Sequence, residues 1–238
     1  MSQSGSQFVN VLIKLVNECG SIHGDQDQAI EHLSNPSFSV DSDPRLVTDG
    51  NDAALYAMQS ALMKEAEKRY GEFEKKRIFP RPFYMEDERE GNSRIMGLLG
   101  DHDSGIKVGM IFDTWERVFY QVSHETIHLL NPVTAPIDQR IISATLDEGV
   151  AVKFAEEMYA EYIASYCSLC YLDSPLQMPG NKYERAYDAT RKIPDAILKV
   201  VRSEFDGFTK VYDAKRLLEL AGEYITESEA DLLASNFQ

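Results

Sequence analysis

Basic residues are scarce in this chain: 24 Lys and Arg stand against 39 Asp and Glu, for a formal net charge of −15 at pH 7. That balance argues against nucleic acid or an anionic membrane surface as a partner. Its plainest reading is an acidic, solvated surface; the functional alternative is a cleft that prefers neutral or basic peptides. The three cysteines exclude a full disulfide framework. Cys167 and Cys170 form a C-x-x-C without a second pair to complete a zinc site, so they read as small core residues of a helix. A reducing compartment fits. No run approaches the ~18 apolar residues of a membrane span. The stretch Phe8–Val16 is interrupted by Asn10 and Lys14 and follows no basic n-region, which makes it an amphipathic helix rather than a signal peptide. A cytoplasmic location is therefore expected, with leaderless export left open. Internal repeats are absent. The 43% hydrophobic content is ordinary and ample for a core.

Histidine is also rare, with five in 238 residues, yet two of them stand together. Residues 124–128 read His-Glu-Thr-Ile-His, an H-E-x-x-H motif. On a helix, positions i and i+4 lie on one face, so both imidazoles can grip one metal ion. Glu125 then stands where a general base for a metal-activated water is needed. The motif is short and gains weight from its context. Gly105–Phe112 reads as a strand. Asp113 reads as an N-cap, with Glu116 closing a capping box. Trp115, Val118, Phe119, Val122 and Ile127 recur at helical spacing, and Asn131-Pro132 ends the helix.

Catalytic zinc usually keeps three protein ligands and leaves a fourth position open. A third histidine in the H-E-x-x-H-x-x-G-x-x-H pattern is excluded, because those positions hold Asn131 and Thr134. The other completion is a carboxylate from the following helix, and Thr145-Leu-Asp-Glu-Gly-Val-Ala151 supplies Glu148. Asp147 is a competing ligand, and Thr145-x-x-Glu148 also fits a capping box that would leave Glu148 a mere cap. Glu148 is preferred because Gly149, lacking a side chain, would let the two helices approach at the metal.

With these residues the chain resembles the gluzincins, the thermolysin-like superfamily of zinc metallopeptidases. Their pattern is H-E-x-x-H followed about twenty residues later by a helical Glu, often as Glu-Gly-x-Ala. His124, Glu125, His128 and Glu148-Gly149-Val150-Ala151 match it, and the resemblance covers Lys107 to Glu157. It implies Zn2+ held by His124, His128 and Glu148, and hydrolysis of peptide bonds by a zinc-activated water with Glu125 as general base. It also implies an oxyanion-stabilising Tyr, His or Arg from a later segment. His128 is the last histidine, so a Tyr or Arg must serve, and Tyr183, Arg185 and Tyr187 are the first candidates. By the same resemblance, strand Gly105–Phe112 would run along the cleft edge and accept a peptide as an added strand, with Gly105 and Gly109 allowing close approach. The Asp that gluzincins often place one turn past the ligand Glu is Val152 here, so another acid or a backbone carbonyl must support the histidines.

The expected fold is α+β: predominantly helical, zincin-like, with a small, mostly antiparallel sheet packed on the H-E-x-x-H helix. Helices are expected over Phe8–Cys19, Asp25–Leu33, Asp52–Lys76, Leu146–Tyr171, Tyr183–Lys192, Asp195–Glu204, Ala214–Gly222 and Ser228–Phe237. Ile78–Met85 reads as an edge strand, Arg94–Leu99 as its neighbour and Lys210–Tyr212 as a short extended piece. His102, in the turn between the strands, is a minor metal candidate. Residues 1–77 would form an N-terminal helical region, 78–172 the zinc-binding core and 173–238 a C-terminal helical subdomain, or the whole is one domain. The expected activity is a zinc metallopeptidase, endopeptidase rather than exopeptidase, since no motif to hold a substrate terminus is visible. The alternatives are a catalytically silent binding or regulatory protein on this scaffold, and a zinc hydrolase of a non-peptide amide or ester. The expected partner is a peptide or protein substrate.

Overall fold

Helix α3 (Asp49–Tyr70) is the buried spine of the molecule. Its start is fixed by the Thr48 hydroxyl, which accepts from the Asn51 amide. Its Ala, Leu and Met positions, from Ala54 through Met58, Leu62 and Ala66, are buried. The helix stops at Tyr70 rather than continuing to Lys76, because Gly71 turns to φ +98. Arg202 then donates to the carbonyls of Tyr70 and Glu72 at 3.0 and 2.8 Å and closes that end.

This computed structural model describes residues 3–74, 77–85, 91, 93–98, 101–133, 143–164, 174–177 and 180–237. Around α3 lie α1 (Gln3–Cys19), α2 (Gln26–Leu33), the strands β1 (Phe83–Tyr84), β2 (Arg94–Gly97) and β3 (Ser104–Val108), then α4 (Trp115–Leu129), α5 (Thr145–Tyr162), α6 (Lys182–Thr190), α7 (Asp195–Phe205), α8 (Ala214–Ala221) and α9 (Glu227–Leu233). The chain is mostly helical with a small sheet, as an α+β reading requires. A continuous apolar core joins Phe8 and Leu12 of α1 to Phe119 of α4, Phe154 of α5 and Leu233 of α9. Among the described residues no helix is long and apolar enough to cross a membrane.

The sheet differs from expectation in two ways. It is mixed: β1 pairs parallel with β3, and β2 pairs antiparallel with β3. The strand before the H-E-x-x-H helix is also its centre, since the order is β1-β3-β2. All five residues of β3 are buried. Phe83 and Arg94 flank Lys107 from opposite sides, so the backbone of β3 is not free to take a peptide along its length. The space beside Gly105 is filled by Phe79, Phe83 and Leu98. The reason is non-local: β1 reaches β3 across the intervening β2, a pairing that no local pattern encodes.

Helix α4 starts one residue later than Asp113 implied. Thr114 is the N-cap, accepting from the Arg117 amide, while Asp113 pairs with the Arg117 guanidinium at 2.9 Å. Trp115, Val118, Phe119, Val122 and Ile127 are buried as their spacing required. Arg202 also takes the Leu130 carbonyl and the Asn131 side chain, closing α4 where its residue run ends.

The start of α5 has no side-chain cap; its N-cap residue is Ala144. The segment after α9 fills that role. Asn236 bridges antiparallel to Ala144, the Thr145 amide donates to the Ser235 carbonyl at 2.8 Å, and the Phe237 amide donates to Ser143. The Thr145 hydroxyl also points to the Ser235 carbonyl, at 3.0 Å. Thr145 is thus the first helical residue and forms no capping box with Glu148. Lys210–Tyr212 is not extended: Phe208–Lys210 forms a 3-10 turn entered through Gly207. The remaining C-terminal helices fall close to their expected places, except that α9 ends at Leu233. Helix α5 ends at Tyr162, with Ile163 as its C-cap, short of the expected Tyr171; Cys167 and Cys170 lie outside the described residues.

Candidate metal centre

His124 and His128 sit on one face of α4, and α5 brings Glu148 opposite them. His128 Nε2 lies 3.2 Å from His124 Nε2. Glu148 Oε2 lies 3.3 Å from His124 Nε2 and 3.8 Å from His128 Nε2. Zinc bonds of about 2.0–2.2 Å in a tetrahedron place neighbouring donors roughly 3.3 Å apart. Three donors therefore converge at the separation one small ion would impose. His124, His128 and Glu148 also form the group that could hold a metal among the described residues. Glu148 Oε2 is fully buried and has no hydrogen-bond partner. Leaving such an atom unsatisfied is costly, which is what a missing cation would explain. The donor set fits zinc.

Asp147 is not part of that group; it stands behind His128. Its carboxylate lies 2.8 Å from His128 Nδ1, and its side chain is 4% exposed. The proton on Nδ1 is thereby fixed, so Nε2, which faces Glu148, is the nitrogen left for a metal. This is the acid that the Val152 position lacks, supplied from the residue before the ligand instead of one turn after it.

The charges reinforce one another. Burial disfavours the charged form of His128, but Asp147 and Glu148 outweigh it and hold the imidazole well above its ordinary pKa. Burial likewise opposes ionisation of Glu148, yet the two histidines hold its carboxyl below the usual range. Glu125 behaves differently. Burial pushes its carboxyl up, and the histidines only partly counter that. No hydrogen bond from the described residues reaches it. It is a buried acid next to the cluster, with its proton affinity raised toward the range a general base needs.

Gly149 has a different role from the one expected. A side-chain carbon there would overlap the Thr190 hydroxyl and lie 2.9 Å from the Ala186 carbonyl. The close approach it permits is between α5 and α6, not between α5 and the histidine helix. The effect on the site is indirect, since α6 begins with Lys182 and Tyr183.

Of the three later candidates, the structure brings Tyr183 to the cluster. Its ring meets the His124 ring edge-on at 6.5 Å and the Phe237 ring at 4.8 Å. Burial, then Glu148 and Glu125, push its phenol well up, so it stays a proton donor. Tyr187 lies elsewhere, under the Arg191 guanidinium and influenced by Glu156. Arg185 is exposed. His102 packs edge-on against Phe79 at 5.1 Å and belongs to no metal group among the described residues. Sequence reasoning missed Lys182, whose ammonium lies 4.1 Å over the Phe237 ring and 5.7 Å over that of Tyr183. A basic residue beside a candidate aromatic was the available signal. Compared with known proteins, the chain matches no family model, no curated protein and no solved structure.

Proposed function

We propose that this chain is a zinc-dependent metallopeptidase whose metal is held by His124, His128 and Glu148. The observation that carries the reading is the convergence of those three donors, with Asp147 fixing His128 from behind and Glu125 buried beside them without a partner. Two imidazoles and a carboxylate suit zinc among the common divalent ions. When bound, zinc supplies a Lewis acid that polarises the scissile carbonyl and acidifies water. Glu125 takes the proton from the attacking water on its carboxylate and passes it to the leaving amine nitrogen. Tyr183 offers its phenol proton to the oxygen that gains negative charge. Asp147 holds the Nδ1 proton of His128 throughout, so the imidazole neither rotates nor changes tautomer.

The test is a peptide-library digest with the zinc-loaded chain beside Glu125→Gln. Removing the base should lower hydrolysis by about 10²- to 10⁴-fold while zinc content stays the same. Equal rates in both proteins would overturn the assignment of Glu125. No hydrolysis by the wild type would favour the second reading, a silent binding protein or a hydrolase of a non-peptide amide or ester. One observation favours that second reading: β3 is paired on both sides, which removes the extended-strand docking that a gluzincin resemblance implies.

A further inference from the structure

Several lysines of the described chain are matched to acids. Lys64, Lys68, Lys153, Lys192 and Lys210 each have a carboxylate within ion-pair distance. Lys182 has none among the described residues, although acids outnumber bases 39 to 24. Its ammonium rests instead on the face of Phe237 at 4.1 Å. An aromatic face attracts a cation without neutralising it and leaves its N–H donors unspent. Phe237 in turn is held by the pairing of its amide with Ser143, four residues before Asp147. Tyr183 continues the wall from Phe237 to His124. An unpaired cation is thus mounted on an aromatic wall that leads to a ligand of the metal site.

We propose that Lys182 anchors a carboxylate of the substrate, so that the site takes peptides bearing a negative charge close to the bond to be cut. This rests on the metallopeptidase reading and names its substrate class. Lys182 forms no ion pair with Glu148, whose Oε2 faces the two imidazoles. The positive charge of Lys182 is nonetheless felt there and helps keep Glu148 ionised. The overall charge of −15 would repel an acidic peptide at long range, but at ordinary ionic strength that field is screened beyond about 8–10 Å. Beside the metal donors local charge decides, and Lys182 is the basic side chain on the Tyr183–Phe237 wall. Either the terminal carboxylate of a peptide or an acidic side chain carries the same chemistry, and the two are separable by experiment.

The experiment uses the zinc-loaded Glu125→Gln chain, which binds without turnover, and the same chain carrying Lys182→Gln or Lys182→Arg. Zinc content is measured first. Three N-acetylated tetrapeptides of one core sequence are then titrated by calorimetry: one with a free C-terminus, one amidated, and one amidated with Glu at the third position. The expected result is that one carboxylate peptide binds about tenfold tighter than the neutral one, the size of a charge-assisted hydrogen bond. Lys182→Gln should bring that ratio close to one, and Lys182→Arg should retain most of it. Preference for the free C-terminus would mark an exopeptidase; preference for Glu would mark an acidic side-chain subsite. Equal affinities for all three peptides in the zinc-loaded protein, or no binding of any, would overturn the role of Lys182 and leave the metal site standing. Failure to take up zinc would overturn the metallopeptidase reading and this one with it.

Discussion

Helix α5 carries two buried polar clusters built on opposite rules. Along its middle, charges are matched in place. Lys153 meets Asp195 at 2.5 Å and Glu157 at 3.0 Å, and Arg69 meets Glu65 at 2.7 Å and Glu157 at 2.6 Å. The Tyr70 hydroxyl adds a further bond to Asp195. At its start, Glu125, Asp147 and Glu148 share two imidazoles, and no Lys or Arg among the described residues comes within ion-pair distance of them. The first cluster is complete and ties α3, α5 and α7 together. The second has no Lys or Arg, and its buried Glu148 Oε2 has only the two imidazoles beside it, without a hydrogen bond. A buried charge that is already answered speaks of structure; one that is not speaks of something to be bound.

Breaking each cluster should therefore give different symptoms. The largest effect is expected at the start of α5. His128→Ala and Glu148→Ala should each take the protein from about one zinc per chain to none, as read by plasma mass spectrometry. In contrast, Lys153→Met should keep its zinc and lose about 1–3 kcal/mol of stability in urea unfolding, less than for a fully buried pair because Asp195 and Glu157 partly reach water. If Lys153→Met lost the metal, or Glu148→Ala only destabilised the fold, the distinction between the clusters would collapse. Next in size is Asp147→Asn. It keeps an acceptor for His128 Nδ1–H but removes the charge, and should weaken zinc binding about 10- to 100-fold in a competition titration.

The smallest effect concerns protons. In the metal-free protein His128 is held above its ordinary pKa by Asp147 and Glu148, so at pH 7 it carries a proton that zinc must displace. Zinc affinity should then rise with pH, by at most about tenfold per unit for one proton released. Calorimetry in buffers of different ionisation enthalpy would register that proton. A pH-independent affinity between pH 6 and 8 would show that His128 is already neutral.

The sequence carried the parts of this site that follow from helical period. His124 and His128 had to share a face, and the buried face of α4 was readable from Trp115 to Ile127; Glu148 was preferred over Asp147 on account of Gly149, which instead serves the contact of α5 with α6. Asp147 was visible as an acid, but its role depends on which way the first turn of α5 rotates toward His128, and one residue of rotation separates a ligand from its support. The central position of β3 was unreadable because its partner β1 arrives from beyond β2. Lys182 was legible only as a basic neighbour of Tyr183; its place on Phe237 was not, because Phe237 reaches it through the pairing of residues 235–237 with 143–145. Thr114 rather than Asp113 caps α4 because two adjacent residues of cap-forming type compete and Arg117 claims the acid.

That last pairing has a consequence in time. A ribosome makes both histidines and Glu148 long before it reaches Ser235, 90 residues after the Thr145 whose amide Ser235 receives. At ordinary rates of synthesis the gap is on the order of ten seconds. During it the first turn of α5, which presents both Asp147 and Glu148, has no cap, and the wall of Phe237 beneath Lys182 does not exist. The nascent chain would hold the ingredients of the centre without its geometry, so a peptide-cutting activity would switch on only after the rest of the fold had closed around it.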